Sequence, residues 1–249
     1  MQFADLKIVL SRKAVWPAAV MSFLAAGLFV FIELAEEIME GEALDFDEAL
    51  LLAFRNPADL GDPLGPPWLE ETALELTALG GYPVIVVLTL AVAGYLGVAA
   101  WRGAALYVLA SVAGGSALSA LLKRFFERPR PDIVEQLDVI HTASFPSGHA
   151  MVGTVTYLTL GALLVRYAKT RAEMIYVVFT AGVITVLVGL TRVYLGVHWP
   201  SDVVAGWAMG LSWAAFVWCV VAVIEYRAQI SAIGSRASGY LIGRGKVEP

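Results

Sequence analysis

Two histidines, one aspartate and three cations stand in short polar stretches that also mark the ends of apolar segments. His198 and Asp202 lie four residues apart in VHWPSD, and His149 closes the run PSGH at residues 146–149. At that spacing within a helical turn a carboxylate reaches an imidazole Nδ1, fixes its tautomer and leaves Nε2 a better nucleophile or base. Lys123, Arg130 and Arg192 occupy the same two regions, 123–149 and 192–202. Cations gathered in a partly dry place repel one another unless an anion joins them, and a guanidinium matches phosphate oxygens two at a time. Ser147 and Gly148 precede a long apolar run, so their N–H groups are expected at a helix N-terminus, whose unpaired donors and partial positive charge suit a phosphate. One oriented histidine, one separate histidine and a phosphate cage together point to phosphoryl transfer through a phosphohistidine. Which histidine attacks is open on the residues alone. A metal site built from His149, His198 and Asp202 is the competing arrangement. The three cations argue against it, because they already supply the positive charge that phosphoryl transfer needs.

For these residues to meet, the elements that carry them must end on one side. The chain is 59% hydrophobic, with a mean hydropathy of +0.72, against roughly 45–50% apolar in soluble domains. Segments 14–32, 82–101, 103–122, 149–165, 174–191 and 203–224 each come close to the roughly 20 apolar residues that span a bilayer as a helix. The expectation is an all-α, polytopic membrane protein of six transmembrane helices, forming a single domain over residues 1–249. Segment 14–32 is too long for the apolar core of a signal peptide and no A-x-A-like cleavage site follows it, so it is expected to be a retained anchor. Two spans separate the third-to-fourth loop from the fifth-to-sixth, so both emerge on one face and their polar residues can meet. The small-residue run AGGSALSA at 113–120 permits close helix packing in the third span.

Residues 33–81 hold 13 acidic residues and one basic residue, Arg55. Two short amphipathic helices fit here, ALDFDEALLLAF and WLEETALELTAL, with RNPADLGDPLGPPW between them as loop. The segment is expected to form an acidic cap on the outer membrane surface. Lys7, Arg12, Lys13, Arg102, Arg166, Lys169, Arg171, Arg227, Arg236, Arg244 and Lys246 flank one side of the spans, 11 cations against 6 on the other. The positive-inside rule then puts both termini in the cytoplasm and the polar loops at the periplasmic or exterior face of the inner (plasma) membrane. Arg124 and Arg128 are expected to be snorkelling anchors. Trp16, Trp68, Trp101 and Trp199 fit an interfacial belt, His141 a loop, and Cys219, the sole cysteine, a buried packing thiol.

At three places the residues resemble signature motifs of the type-2 phosphatidic-acid phosphatase superfamily of membrane lipid phosphatases. Lys123 to Pro131 has the form Lys-x6-Arg-Pro, Pro146 to His149 reads PSGH, and Arg192 to Asp202 has the form Arg-x5-His-x3-Asp. The order agrees, and Thr191 stands where a serine often precedes the arginine. The resemblance implies that His198 is the nucleophile and Asp202 its orienting partner. His149 would be the general acid and then the base, while Lys123, Arg130, Ser147, Gly148 and Arg192 would hold the phosphoryl oxygens. No metal and no cofactor is implied. The expected partners are the bilayer and a lipid phosphate or diphosphate (undecaprenyl diphosphate, phosphatidylglycerophosphate, phosphatidic acid or a lipid A phosphate), not nucleic acid, with the oligomeric state open. A lipid-to-lipid phosphotransferase with the same site is one alternative. A vanadium haloperoxidase would share the motifs, but such enzymes are typically soluble. An anion or lipid transporter is the alternative from another class, although charges at span ends rather than at the midplane favour an enzyme.

Overall fold

The computed structural model describes residues 12–41, 44–138 and 140–244, with side chains for 17–41, 45–138 and 140–227. Long apolar stretches of Leu, Ala, Val and Ile become helices, and polar or conformationally special residues end them. The elements are α1 (Arg12–Glu40), α2 (Leu44–Leu52), β1 (Arg55–Asn56), β2 (Asp59–Pro63), α3 (Pro67–Thr77), a 3-10 turn (Ala78–Gly80), α4 (Tyr82–Val98), α5 (Arg102–Phe126), α6 (Gly148–Val165), α7 (Arg171–Tyr194) and α8 (Pro200–Arg244). Proline stands in the first turn of α3 and of α4 and opens α8, where its missing N–H costs nothing. Thr170 caps α7 by accepting from the Glu173 N–H at 3.2 Å. Glu127, in the left-handed region at φ 45°, stops α5.

Among the described residues five helices, α1, α5, α6, α7 and α8, are long and apolar enough to cross a membrane, and α3 with α4 forms a bent pair, kinked by 44°, that would make a sixth crossing. α4 starts beside His149, and Trp101 just beyond its end stacks on Tyr167 past the far end of α6, at 5.3 Å. It therefore runs the length of the bundle although it has 17 residues. α6 is the central helix: 61% of it is buried inside the protein, against 17–33% of an 18-residue apolar stretch in each of the other four. It packs on α5, α7 and α8, and α1 lies against α8.

Several boundaries differ from the expected ones. The first helix does not stop at residue 32 but carries Glu33, Glu36, Glu37 and Glu40 two turns further. The second ends at Val98 rather than 101. The stretch expected to be plain loop contains the antiparallel pair β1–β2. There the Asn56 side chain accepts from the Ala58 N–H and donates to Asp62, both at 3.0 Å, closing the turn around Pro57. Cys219 is not buried: it is partly exposed, its thiol 3.6 Å from the Met21 sulfur. Lys7 and Lys246 lie outside the described residues, as do the side chains of Arg12, Lys13, Trp16, Arg236 and Arg244.

The small-residue run does bring helices close. A Cβ on Gly114 would stand 2.4 Å from the Trp213 ring of α8, and Gly115 lies against Val155 and Trp213. Gly114→Leu is therefore expected to destabilise the protein by about 1–3 kcal/mol, as is typical of overpacking, and so to lower the midpoint of thermal unfolding in detergent. A midpoint equal to that of the unaltered protein would contradict this contact.

Candidate active site

The C-termini of α5 and α7 and the N-termini of α6 and α8 lie at one end of the bundle, and each delivers a polar group there. Lys123 comes from the last turn of α5, Arg192 from the last turn of α7, His149 from the first turn of α6 and Asp202 from the first turn of α8. Arg130 and His198 come from the connecting loops. All eight residues singled out from the sequence stand at this end.

His198 is fully buried, with Nδ1 3.2 Å from Asp202 Oδ2. Its Nε2 meets Arg130 Nη1 at 3.2 Å. A guanidinium only donates, so Nε2 carries the lone pair and the Nδ1 proton faces Asp202. Burial holds the His198 imidazole well below its ordinary pKa, and Arg130, Lys123, Arg192 and the His149 ring push the same way. The ring is therefore neutral at neutral pH, with a lone pair on Nε2.

The cations are held by backbone carbonyls more than by carboxylates. Lys123 Nζ donates to the carbonyls of Ala143 (2.5 Å) and Ser144 (3.3 Å). Arg130 donates to Thr142 O at 2.9 Å, Val197 O at 2.5 Å and Ala143 O at 3.3 Å. Its pKa is pulled down to about 10, by burial first and by Arg192 second, so it stays charged. Arg192 is fully buried and donates through Nη1 to Thr77 Oγ1 and Asp138 Oδ2, each at 2.9 Å. Its Nε and Nη2 are buried with no acceptor among the described residues. Ser147 caps α6, its Oγ 3.5 Å from the Ala150 N–H. The hydroxyl proton and the first N–H groups of the helix are thereby directed to the same end.

Three residues given another reading by the sequence belong to this site or its support. Arg128 is no snorkelling anchor: it is buried, and its guanidinium bridges Asp202 Oδ1 and Asp47 Oδ2, each at 2.7 Å. Trp199 is not at an interface either. It is buried, its indole N–H donates to Pro129 O at 3.2 Å, and Arg128 stacks over its ring at 5.7 Å. Asp47, counted with the solvated acids of the cap, is fully buried. Trp68, Trp101, Arg124 and His141 are exposed, as expected.

Sequence reasoning also missed Ser144, Arg55 and the Gly80–Gly81 pair. Ser144 Oγ donates to Asp202 Oδ2. Arg55 is buried under the loop before His198 and donates to Tyr194 O at 2.9 Å, and burial lowers its pKa. A Cβ on Gly80 would lie 2.4 Å from Val188 and 3.1 Å from His149 O, so a larger residue would displace the first turn of α6.

Residues 104–225 match the PAP2 superfamily. The chain is 36% identical to phosphatidylglycerophosphatase B of Bacillus subtilis over 154 residues, 58% of this chain and 71% of that one. It is 34% identical to a lipid A 1-phosphatase of Rhizobium etli over 130 residues, 49% and 50% of the two chains. Among solved structures, a transmembrane PAP2-type phosphatidylglycerolphosphate phosphatase from Bacillus subtilis superposes with a TM-score of 0.69 at 31% identity, covering 78% of this chain and 93% of that one.

Gly196, at φ +73°, lets the chain turn between Arg192 and His198, and a Cβ there would lie 2.5 Å from Arg55 Nη2 and 2.8 Å from Glu135 O. Gly196→Ala is expected to shift His198 and cut kcat by about 10²-fold, since a 1 Å misplacement is worth that much. Unchanged kcat would show that the turn does not set the histidine.

Proposed function

The chain belongs to the PAP2 superfamily and is a multi-pass membrane protein, and from that footing we propose that it removes phosphate from a membrane lipid phosphate or diphosphate through a phosphohistidine on His198. The observation that carries this reading is that Arg130 meets His198 Nε2 at 3.2 Å, at the same end of the bundle as Lys123 and Arg192, and that two buried Arg192 donors have no acceptor among the described residues. Such a place suits the three outer oxygens of a phosphoryl group.

In the first step the Nε2 lone pair forms the N–P bond as the bond from phosphorus to the lipid oxygen breaks. His149, which takes up a proton as the phosphate anion binds beside it, gives that proton to the leaving oxygen. The Nδ1–H stays on the imidazole, and Asp202 balances the positive charge that develops there. In the second step His149, now neutral, takes a proton from water, whose oxygen attacks phosphorus and releases His198. The three cations supply the charge stabilisation throughout, so the reaction is expected to proceed in the presence of a chelator. The relatives that carry phosphatidylglycerophosphatase and lipid A 1-phosphatase names support a lipid substrate. The site's position at helix ends supports it too, because a headgroup can enter sideways while its chains stay in the bilayer. Exposing those chains would cost about 0.8 kcal/mol per CH₂.

His198→Ala is expected to abolish phosphate release from phosphatidylglycerophosphate, undecaprenyl diphosphate, phosphatidic acid and lipid A alike, and His149→Ala to slow it by about 10²–10⁴-fold. Rapid quenching of the wild type should trap an acid-labile, base-stable phosphoryl label. Full activity in His198→Ala would refute the assignment.

The cationic asymmetry supports placing both termini in the cytoplasm and the site at the outer face. Single cysteines placed in segment 33–81, in a Cys219→Ser background, are expected to react with an impermeant thiol reagent on intact cells. Reaction only after lysis would reverse the orientation.

A further inference from the structure

Helix α2 reaches from the cap into the end of the bundle and places one carboxylate under the catalytic pair. Asp47 and Leu51, one helical turn apart, face inward and are fully buried, while Phe46 and Leu50 face outward. Asp47 Oδ1 accepts from the Ser201 N–H at 2.8 Å, and Oδ2 accepts from Ser201 Oγ at 2.5 Å and Arg128 Nη2 at 2.7 Å. Ser201 is the second residue of α8, so Asp47 caps from outside the helix whose next residue is Asp202. Arg128 also donates to Ser201 Oγ, at 2.8 Å. One buried guanidinium thus lies between two buried carboxylates, and only one of these, Asp202, touches His198.

The charges explain why two are needed. Arg128 alone would cancel Asp202, leaving nothing to balance an imidazole that turns positive when Nε2 is phosphorylated. With Asp47 on its other side, the Asp47–Arg128–Asp202 group keeps a net charge of one negative unit beside His198. In a poorly solvated place such a charge acts strongly over a few ångströms.

We propose that Asp47 is a positioning residue of the phosphoryl-transfer reaction, holding Asp202 through Ser201 and Arg128 and keeping that group net negative against His198. The inference rests on the phosphatase reading above. It also gives the cap a role in turnover: the cap braces the nucleophile's partner from outside the three motifs at Lys123–Pro131, Pro146–His149 and Arg192–Asp202.

The test is steady-state turnover of a long-chain phosphatidylglycerophosphate in detergent micelles, well below the melting temperature of every variant. Asp47→Asn keeps the side chain's shape and an acceptor for the Ser201 N–H but removes the charge. It is expected to lower kcat by about 10–100-fold, as found when the partners that orient metal-bound histidines are lost, with KM changed less than threefold because the hydrogen bonds of Asp47 go to Ser201 and Arg128 and not to Lys123, Arg130 or Arg192. A purely structural role would lower the melting temperature and leave kcat of the folded molecules alone. The double variant Asp47→Asn/Arg128→Gln removes one negative and one positive charge, so the group keeps the net charge of the wild type on Asp202, and it serves where the single variant does not fold. It is expected to fold and to turn over between Asp47→Asn and the wild type, again with KM unchanged. Wild-type kcat in either variant, or a loss confined to KM, overturns the proposal. His198→Ala in the same assay separates the two ideas. If it is inactive while Asp47→Asn turns over normally, only the role of Asp47 fails; if it is active, the phosphatase reading fails.

Discussion

The Asp202 carboxylate is the point at which this end of the bundle is tied together. It is fully buried, and it accepts hydrogen bonds from His198, the Trp199 N–H, Ser144 and Arg128. Its backbone carbonyl accepts from the Ser147 N–H at 3.0 Å. A single residue thereby joins the loop after α5, the start of α6, the loop after α7 and the start of α8. A buried carboxylate without partners would cost many kcal/mol, and removing one partner of a buried ion pair typically costs about 3–5 kcal/mol. The loops are therefore not free to separate, and His198 takes its orientation from the same carboxylate that holds them.

Around that anchor the protein gathers positive charge that its own acids do not neutralise. Asp138 is half-buried and meets one edge of Arg192, while Lys123 and Arg130 rest on carbonyl dipoles. Carbonyls stabilise a cation without removing its charge, so the attraction for an anion persists. Water-poor surroundings strengthen it, and the same surroundings keep His198 neutral. Burial thus does two jobs here: it keeps the His198 lone pair available and strengthens the attraction for an anion.

Much of this was legible in the sequence because the relevant signals are short-range. The spacing of four between His198 and Asp202 becomes a hydrogen bond once Pro200 starts a helix. Counting apolar segments was enough to bring Lys123, Arg130, His149 and Arg192 to one end. What was not legible depends on tertiary partners. Arg128 looks like any arginine near a span end, and only the inward turn of the chain after Glu127 buries it. Asp47 is one of 13 acids in the cap, and its one local mark is its phase with Leu51 in ALDFDEALLLAF. Arg55 was the lone cation among those acids, and that oddity was a usable signal. Trp199 follows His198 directly and was misread as interfacial because aromatic residues near span ends usually are. The α4 span was found, but not that the Gly80–Gly81 kink sets it against His149.

The central claim is that His198 Nε2 faces a phosphoryl-sized anion held by Lys123, Arg130 and Arg192. An experimental structure of the protein with vanadate tests this most directly, since vanadate adopts the five-coordinate shape of the transition state and such mimics bind tightly. Vanadium is expected to bond to His198 Nε2, with its equatorial oxygens on Arg192 Nε and Nη2, Arg130 and Lys123, and an apical oxygen towards His149. Vanadate bonded to His149, or seated away from Arg192 with His198 untouched, would contradict it.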